Sequence, residues 1–260
     1  MMIGIAVIAA VIFLGVYFNN SKKKEAVDEN NILIDEAILE KNIAFFRKLN
    51  ATEKQQFENE VHEFLTYVRI TGVNTPVEDL DRIFVAASAV IPVFAFTGWK
   101  YYNLREVLLY SDAINPEFQT EGEGRNILGM VGTGYMEGKM LLSKFALEQG
   151  FKNESDKNNT AIHEFVHLID KADGDTDGIP SQLLAKQYSI PWLDMTYQQM
   201  QEILKGKSDI NPYGATNKAE FFAVVSEYFF ERPDLLEQKH PELYKLLQEI
   251  FKQDPKSREA

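Results

Sequence analysis

The sequence predicts an α+β domain, mostly helical around a small sheet, that follows one membrane-spanning helix. Three observations support this prediction. The amino terminus carries an uncharged apolar run, both halves of the chain space their apolar residues as helices do, and short glycine-bounded strands lie between those halves. With 260 residues the chain is long enough for one large domain with a sizeable core.

The amino-terminal run, residues 2–18, contains no charged side chain and would span roughly 25 Å as a helix. Lys22, Lys23 and Lys24 follow it. A secretory signal has its basic residues before the apolar run, so this order favours an anchor over an export signal or a buried helix. The positive-inside rule then places the following domain on the cytoplasmic face of the inner membrane. The predicted units are an anchor at 1–21, a polar linker at 22–31 and a folded domain at 32–260.

The periodicity of the remaining chain predicts helices before and after a central sheet. Predicted helices cover residues 32–49, 52–68, 76–96 with an end near Pro92, a segment from about 159, 218–230 and 241–252. Predicted strands cover residues 107–110 and 139–145, and the glycines between 122 and 138 are expected to form turns.

Composition excludes several classes of function. The chain has no cysteine, which rules out disulfides, thiolate metal sites and a cysteine nucleophile. Its 27 basic and 39 acidic residues give a net charge of −12, which opposes a nucleic-acid-binding surface. Histidine, aspartate and glutamate therefore remain as strong metal ligands, and direct binding to nucleic acid is not expected.

The motif His163-Glu164-Phe165-Val166-His167 holds two of the four histidines in the chain. Residues four apart lie on one helix face, so both imidazoles can reach one metal ion. Glu164 would lie about 100° further round the helix, where it can hold and deprotonate the attacking water of a hydrolysis. Asn159 and Thr160 are good caps for such a helix. The motif predicts a metal site, against the alternative of two surface histidines at this spacing by chance.

A catalytic zinc site usually needs a third protein ligand, and the residues leave two alternatives. Asp173 stands at the ligand position of a metzincin, although Asp170 replaces the glycine of that pattern. Glu220 lies on an apolar helix, and Glu227 lies seven residues later on the same face, where it could instead line a solvated edge. Asp170 and Glu227 are further candidates for contact with the ligands. The remaining histidines, His62 and His240, are expected at the surface.

The Asp-rich stretch 173–178 matches only the first half of a calcium-binding EF-hand loop. Its twelfth position is Leu184, where an EF-hand carries a bidentate glutamate. Acid–glycine clusters usually form turns, so we predict a turn here.

Three stretches carry a resemblance to a known family: Asn159–Asp170, Asp173–Pro180 and Tyr213–Ala223. They resemble the Mlc titration factor A family of bacterial zinc-dependent peptidases. The same region is similar to the active-site segment of the anthrax lethal factor protease domain, a gluzincin. The resemblance implies a zincin-like fold, one Zn²⁺ per chain, Glu220 as the third ligand and Tyr213 as the residue that stabilises the oxyanion.

These expectations combine into a membrane-anchored zinc metallopeptidase that hydrolyses peptide or protein substrates, with Glu164 as general base. The strand at 140–145 is expected to receive an extended peptide through a free edge. The alternative that the resemblance implies is a regulator that sequesters a transcriptional repressor, with proteolysis secondary.

Overall fold

The computed structural model describes residues 34–153 and 156–259, and these form an α+β fold, as the sequence predicts. The predicted anchor and linker lie outside the described residues, so the boundaries at 21 and 31 stay predictions. Within residues 34–153 and 156–259, none of the helices is both long and apolar enough to span a bilayer.

Ten helices and four strands make up the described part of the chain. The helices are α1 Glu36–Asn42, α2 Ala44–Arg47, α3 Ala51–Tyr67, α4 Asp79–Val93, α5 Lys144–Lys152, α6 Thr160–Asp170, α7 Ser189–Leu204, α8 Lys218–Glu231, α9 Pro233–Lys239 and α10 Pro241–Phe251. The strands are β1 Arg69–Val73, β2 Glu106–Tyr110, β3 Gly129–Val131 and β4 Lys139–Ser143. Single 3-10 turns cover Gly134–Met136, Lys171–Asp173, Lys186–Tyr188, Pro212–Ala215 and Lys256–Glu259.

The four strands form one mixed sheet in the order β1-β2-β4-β3. Strands β1, β2 and β4 are parallel, whereas β3 runs antiparallel to β4. The expectation that residues 140–145 offer a free edge is wrong, because β4 lies between β2 and β3 and ends at Ser143. The edge on this side of the sheet is β3, a strand of three residues among the glycines predicted to form turns.

Helix α6 occupies the centre of the domain and packs against α8, α4 and β3. Its apolar side is fully buried, and Phe165 makes edge contacts with Phe64 of α3 and with Tyr101. Helix α4 is almost entirely buried and ends one residue after Pro92, close to the predicted end. A helix surrounded in this way holds the side chains on its remaining polar face in fixed positions.

Candidate metal centre

The first turn of α6 is fixed by Asn159, the residue that caps it. The Asn159 side chain accepts a hydrogen bond from the backbone N–H of Ile162 at 3.1 Å, and this satisfies an otherwise free amide of the helix start. His163 and His167 then follow on one face, with ring centroids 4.7 Å apart. Both side chains are largely buried, with 11% and 14% of their surface exposed.

Helix α8 brings a carboxylate to the two histidines. Asn217 caps this helix by accepting a hydrogen bond from the backbone N–H of Glu220 at 2.9 Å, which places Glu220 in the first turn. Its Oε2 atom lies 3.0 Å from Nε2 of His163 and 3.4 Å from Nε2 of His167. The two Nε2 atoms are 3.1 Å apart.

These three distances fit a metal ion. Tetrahedral ligands at 2.0–2.1 Å from zinc lie roughly 3.3 Å from one another, and the observed separations are 3.0, 3.1 and 3.4 Å. Three electron-pair donors with mostly buried side chains converge on one point, an arrangement that a cation stabilises. In the described part of the chain, His163, His167 and Glu220 are the group positioned to bind a metal ion.

His163 and Glu220 each stabilise the charged form of the other. Burial opposes a charge on His163, but the bonds to Glu220 and Glu227 outweigh it and raise the pKa of His163 to about 10. Burial likewise opposes ionisation of Glu220, but its hydrogen bonds to the two histidines hold its pKa well below the usual range. Both shifts describe the same ion pair. Glu220 and Glu227 therefore place two negative charges around His163, and this environment favours a cation at the site.

Glu164 lies beside this group with 5% of its surface exposed. Burial raises the pKa of its carboxyl, and the nearby histidines only partly offset that effect. Gly129 of β3 packs directly on it, since a Cβ atom at position 129 would lie 2.7 Å from Cγ of Glu164. Any larger residue at that point of the strand would have to displace the carboxylate.

Glu227 orients His163 through the ring nitrogen that does not face Glu220. One of its carboxylate oxygens lies 2.7 Å from Nδ1 of His163, and the other accepts the backbone N–H of Asn159 at 2.6 Å. Such a carboxylate fixes which imidazole nitrogen faces a metal. Asp170 has a different partner: its Oδ2 accepts the backbone N–H of Gly178 at 2.9 Å, and its Oδ1 is buried with no hydrogen-bond partner. Asp170 therefore holds the loop that leaves α6.

Tyr213 lies in the turn Pro212–Ala215, near His163. The side chain of Asn211 fixes this turn by accepting the backbone N–H of Tyr213 at 3.0 Å. The rings of Tyr213 and His163 are 6.1 Å apart, and about half of the Tyr213 surface is exposed. Burial, followed by the negative charge of Glu220, raises the pKa of its hydroxyl, which therefore stays a hydrogen-bond donor at neutral pH.

The other ligand candidates lie apart from this group. Asp173 is exposed in the 3-10 turn after α6, where it accepts the backbone N–H of Asp175. His62 is exposed on α3, as predicted. His240 corrects the expectation of a surface residue: only 12% of its side chain is exposed, and its Nε2 lies 2.8 Å from Oδ1 of Asp209. The sequence did not indicate this pairing, because its partner lies 31 residues earlier.

A cleft of about 600 Å³ opens over the centre. Its lining includes β3, Tyr213 and the start of α8. His163, Glu164 and Glu220 are among the residues that line it. The group positioned to bind a metal therefore faces a space that a ligand can enter.

Two helices that contribute two histidines and a glutamate, with a further buried glutamate facing the cleft, define a metallopeptidase-like domain. Residues 18–252 match the glucose-regulated metallo-peptidase M90 family, and the chain belongs to that family. The predicted resemblance to the Mlc titration factor A proteins is confirmed as well.

The similar proteins are aligned over most of their length. Protein slr2042 of Synechocystis sp. is 29% identical over 231 residues, which cover 85% of this chain and 84% of that protein. Mlc titration factor A of Pectobacterium atrosepticum is 27% identical over 232 residues, covering 84% and 85% respectively. Mlc titration factor A of Klebsiella pneumoniae subsp. pneumoniae is 26% identical over 227 residues, covering 81% and 83%.

Proposed function

We propose that the protein is a zinc-dependent peptidase of the gluzincin type, with a zincin-like fold and one Zn²⁺ per chain held by His163, His167 and Glu220. The observation that carries the proposal is the separation of the three ligand atoms, 3.0 to 3.4 Å, beside a buried carboxylate. A structural zinc site usually has four protein ligands, whereas three leave a position for water or substrate. Membership of a metallo-peptidase family supports the same reading.

A bound zinc ion and two residues have separate roles in the proposed hydrolysis. Bound zinc would supply Lewis acidity, which lowers the pKa of a water and polarises a carbonyl. Glu164 takes a proton from the attacking water and then delivers it to the leaving amine, a task that suits a buried carboxyl with a raised pKa. Tyr213, which lines the cleft, donates a hydrogen bond from its hydroxyl to the developing oxyanion.

Strand β3 is the part of the cleft that suits a peptide substrate. It lies at the edge of the sheet, and all three of its residues line the cleft next to Glu164. An extended peptide can add to such an edge through main-chain hydrogen bonds. We therefore expect edge pairing with a peptide on β3 and not on β4.

The test is a Glu164→Gln variant measured beside the wild type. We expect it to keep one zinc per chain, because Glu164 is not a ligand, and to lose peptide hydrolysis. Glu220→Ala is expected to lose zinc and hydrolysis together. Full zinc content and activity in Glu220→Ala, with loss in Asp173→Ala, would contradict the ligand set.

A second candidate function is a regulator that binds and sequesters a transcriptional repressor. The names of the relatives support it, since a titration factor acts by binding. Glu164→Gln separates the two functions: a regulatory effect that survives this substitution depends on binding alone, and one that disappears depends on hydrolysis.

We also propose that residues 2–18 anchor the protein in the inner membrane with the folded domain in the cytoplasm. The uncharged run and the three lysines after it support this orientation. The check is protease protection on sealed cells with an epitope at the carboxyl terminus, which should stay intact until the inner membrane is broken. Removal of the epitope in cells with an intact inner membrane would contradict the orientation.

A further inference from the structure

Two lysines line the cleft at the metal centre, and their surroundings differ. Nζ of Lys171 lies 2.8 and 3.0 Å from the two carboxylate oxygens of Glu137. Lys218 is half-buried at the start of α8, and no ion pair or hydrogen bond engages its ammonium group within residues 34–153 and 156–259. A cation that is partly withdrawn from water is stabilised by an anionic partner. Lys218 therefore offers a bound molecule a positive charge that the described chain does not already neutralise.

The backbone of Lys218 is fixed by its surroundings. Lys218 is the first residue of α8, and Asn217 caps that helix. The loop after α6 packs on it, since a Cβ atom at Gly178 would lie 2.4 Å from the carbonyl oxygen of Lys218 and 2.9 Å from its Cβ. Gly178 also has a φ of +77°, a conformation that favours glycine. The Lys218 side chain therefore starts from a fixed point of the cleft, two residues before Glu220.

The carboxylates closest to Lys218 in the sequence and in the adjoining loop have other partners. Oδ1 of Asp177, next to Gly178, accepts the backbone N–H of Ile179 at 3.0 Å. Glu220 contacts the two histidines, and residues two apart on a helix do not face each other. Neither carboxylate forms an ion pair with Lys218 in the described structure.

A positive charge at position 218 is unfavourable in the free protein. The amino-terminal end of a helix carries a partial positive charge, which opposes a cation in the first turn. The metal ion that the proposed function requires would add to this repulsion. A negatively charged group on a bound molecule relieves both effects, so the electrostatics at the start of α8 favour an anionic ligand.

We propose that Lys218 determines substrate specificity by binding a carboxylate of the peptide. This inference rests on the proposed peptidase function and names its substrate class, peptides with a carboxylate close to the cleaved bond. The carboxylate can belong to an Asp or Glu side chain or to the free carboxyl terminus. Both present the same pair of oxygens to the ammonium group.

The probe is a set of labelled peptides with Glu or Gln at each position in turn, made with a free and with an amidated carboxyl terminus. We call the rate ratio of a carboxylate peptide to its amide counterpart the carboxylate preference. The full-length wild type should show a carboxylate preference of about fivefold at one position, as for one partly exposed ion pair. A preference for Glu over Gln identifies a side chain as the bound group, and a preference for the free over the amidated terminus identifies the carboxyl terminus.

Substitutions at Lys218 test whether this residue causes the preference. Lys218→Met should reduce the ratio to about one, and Lys218→Glu should invert it in favour of the amide. Lys186→Met is the matched control, because it removes the same charge from an exposed lysine outside the cleft, and it should keep the wild-type ratio. Zinc content and thermal unfolding show that each variant is folded.

Binding is measured apart from hydrolysis, by fluorescence anisotropy of the same peptides on the Glu164→Gln protein. The carboxylate peptides should bind about fivefold more tightly than their amides, and Lys218→Met in the Glu164→Gln background should remove the difference. Such a difference in binding without cleavage by the wild type would support the role of Lys218 and contradict the peptidase function.

The opposite results overturn the role of Lys218. Cleavage without a carboxylate preference would show that no carboxylate is recognised. A preference that survives in Lys218→Met, or that falls equally in Lys186→Met, would show that Lys218 is not its cause. Neither binding nor cleavage of any peptide in the set would contradict this role and the peptidase function together.

Discussion

Metal binding should release about one proton at neutral pH, and Glu227→Gln should flatten the rise of zinc affinity with pH. In the metal-free protein His163 lies between Glu220 and Glu227, and its pKa is about 10. A metal ion needs the lone pair of Nε2 and must displace the proton. That pKa lies well above 7, so at neutral pH the proton has to leave before Nε2 can bind the metal, and it lowers the apparent affinity.

The consequence is an apparent zinc affinity that rises roughly tenfold per pH unit between pH 7 and 9. Competition with a chromophoric chelator at constant ionic strength measures this slope. Calorimetry in buffers of different ionisation enthalpy counts the protons. Glu227→Gln keeps the shape of the side chain but removes one of the two charges that raise the pKa of His163, so its slope should be flatter. A wild-type zinc affinity that does not change from pH 7 to 9 would show that binding displaces no proton from His163.

Three further predictions concern single residues. Tyr213→Phe should keep zinc and lose on the order of 10–1000-fold in kcat, as for one oxyanion donor; an unchanged kcat would remove Tyr213 from the mechanism. Gly129→Ala should displace Glu164 and lower turnover on the order of tenfold or more at full zinc content; unchanged turnover would contradict the close packing of Gly129 on Glu164. Burial raises the pKa of the Asp170 carboxyl to about 6, so the folded state favours the protonated carboxyl. The free energy of unfolding should therefore fall as the carboxyl ionises between about pH 4 and pH 6. Urea unfolding of metal-free protein should show a loss of about 2 kcal/mol between pH 4.5 and 7 in the wild type and not in Asp170→Asn; equal changes in both would contradict it.

The sequence predicts the centre of this fold well because the relevant information is local. The spacing of His163 and His167 places both rings on one helix face, and the cap at Asn159 fixes where that helix begins. Glu227 follows Glu220 by seven residues, which indicates a shared face. What each carboxylate touches depends on how α8 packs on α6, and periodicity within α8 carries no information about that packing.

The strands at the edges of the sheet and the strand order could not be predicted from local sequence. Strands β1 and β3 are short and lack apolar alternation, so their sequences do not distinguish them from loops. The order β1-β2-β4-β3 follows from crossover connections, which is why the edge position of β4 was predicted wrongly. The predicted helix at 32–49 is interrupted at Ile43, whose extended backbone separates α1 from α2. The pairing of His240 with Asp209 likewise arises only when distant segments meet.

Zinc content and peptide hydrolysis, both measured on one preparation of full-length protein, decide whether the chain is a zinc peptidase. Wild type, Glu164→Gln and Glu220→Ala are compared by elemental analysis and by cleavage of a peptide library. We expect one zinc per chain and cleavage in the wild type, one zinc without cleavage in Glu164→Gln, and neither in Glu220→Ala. Cleavage by Glu164→Gln at the wild-type rate, or a wild type that binds no zinc, would contradict it.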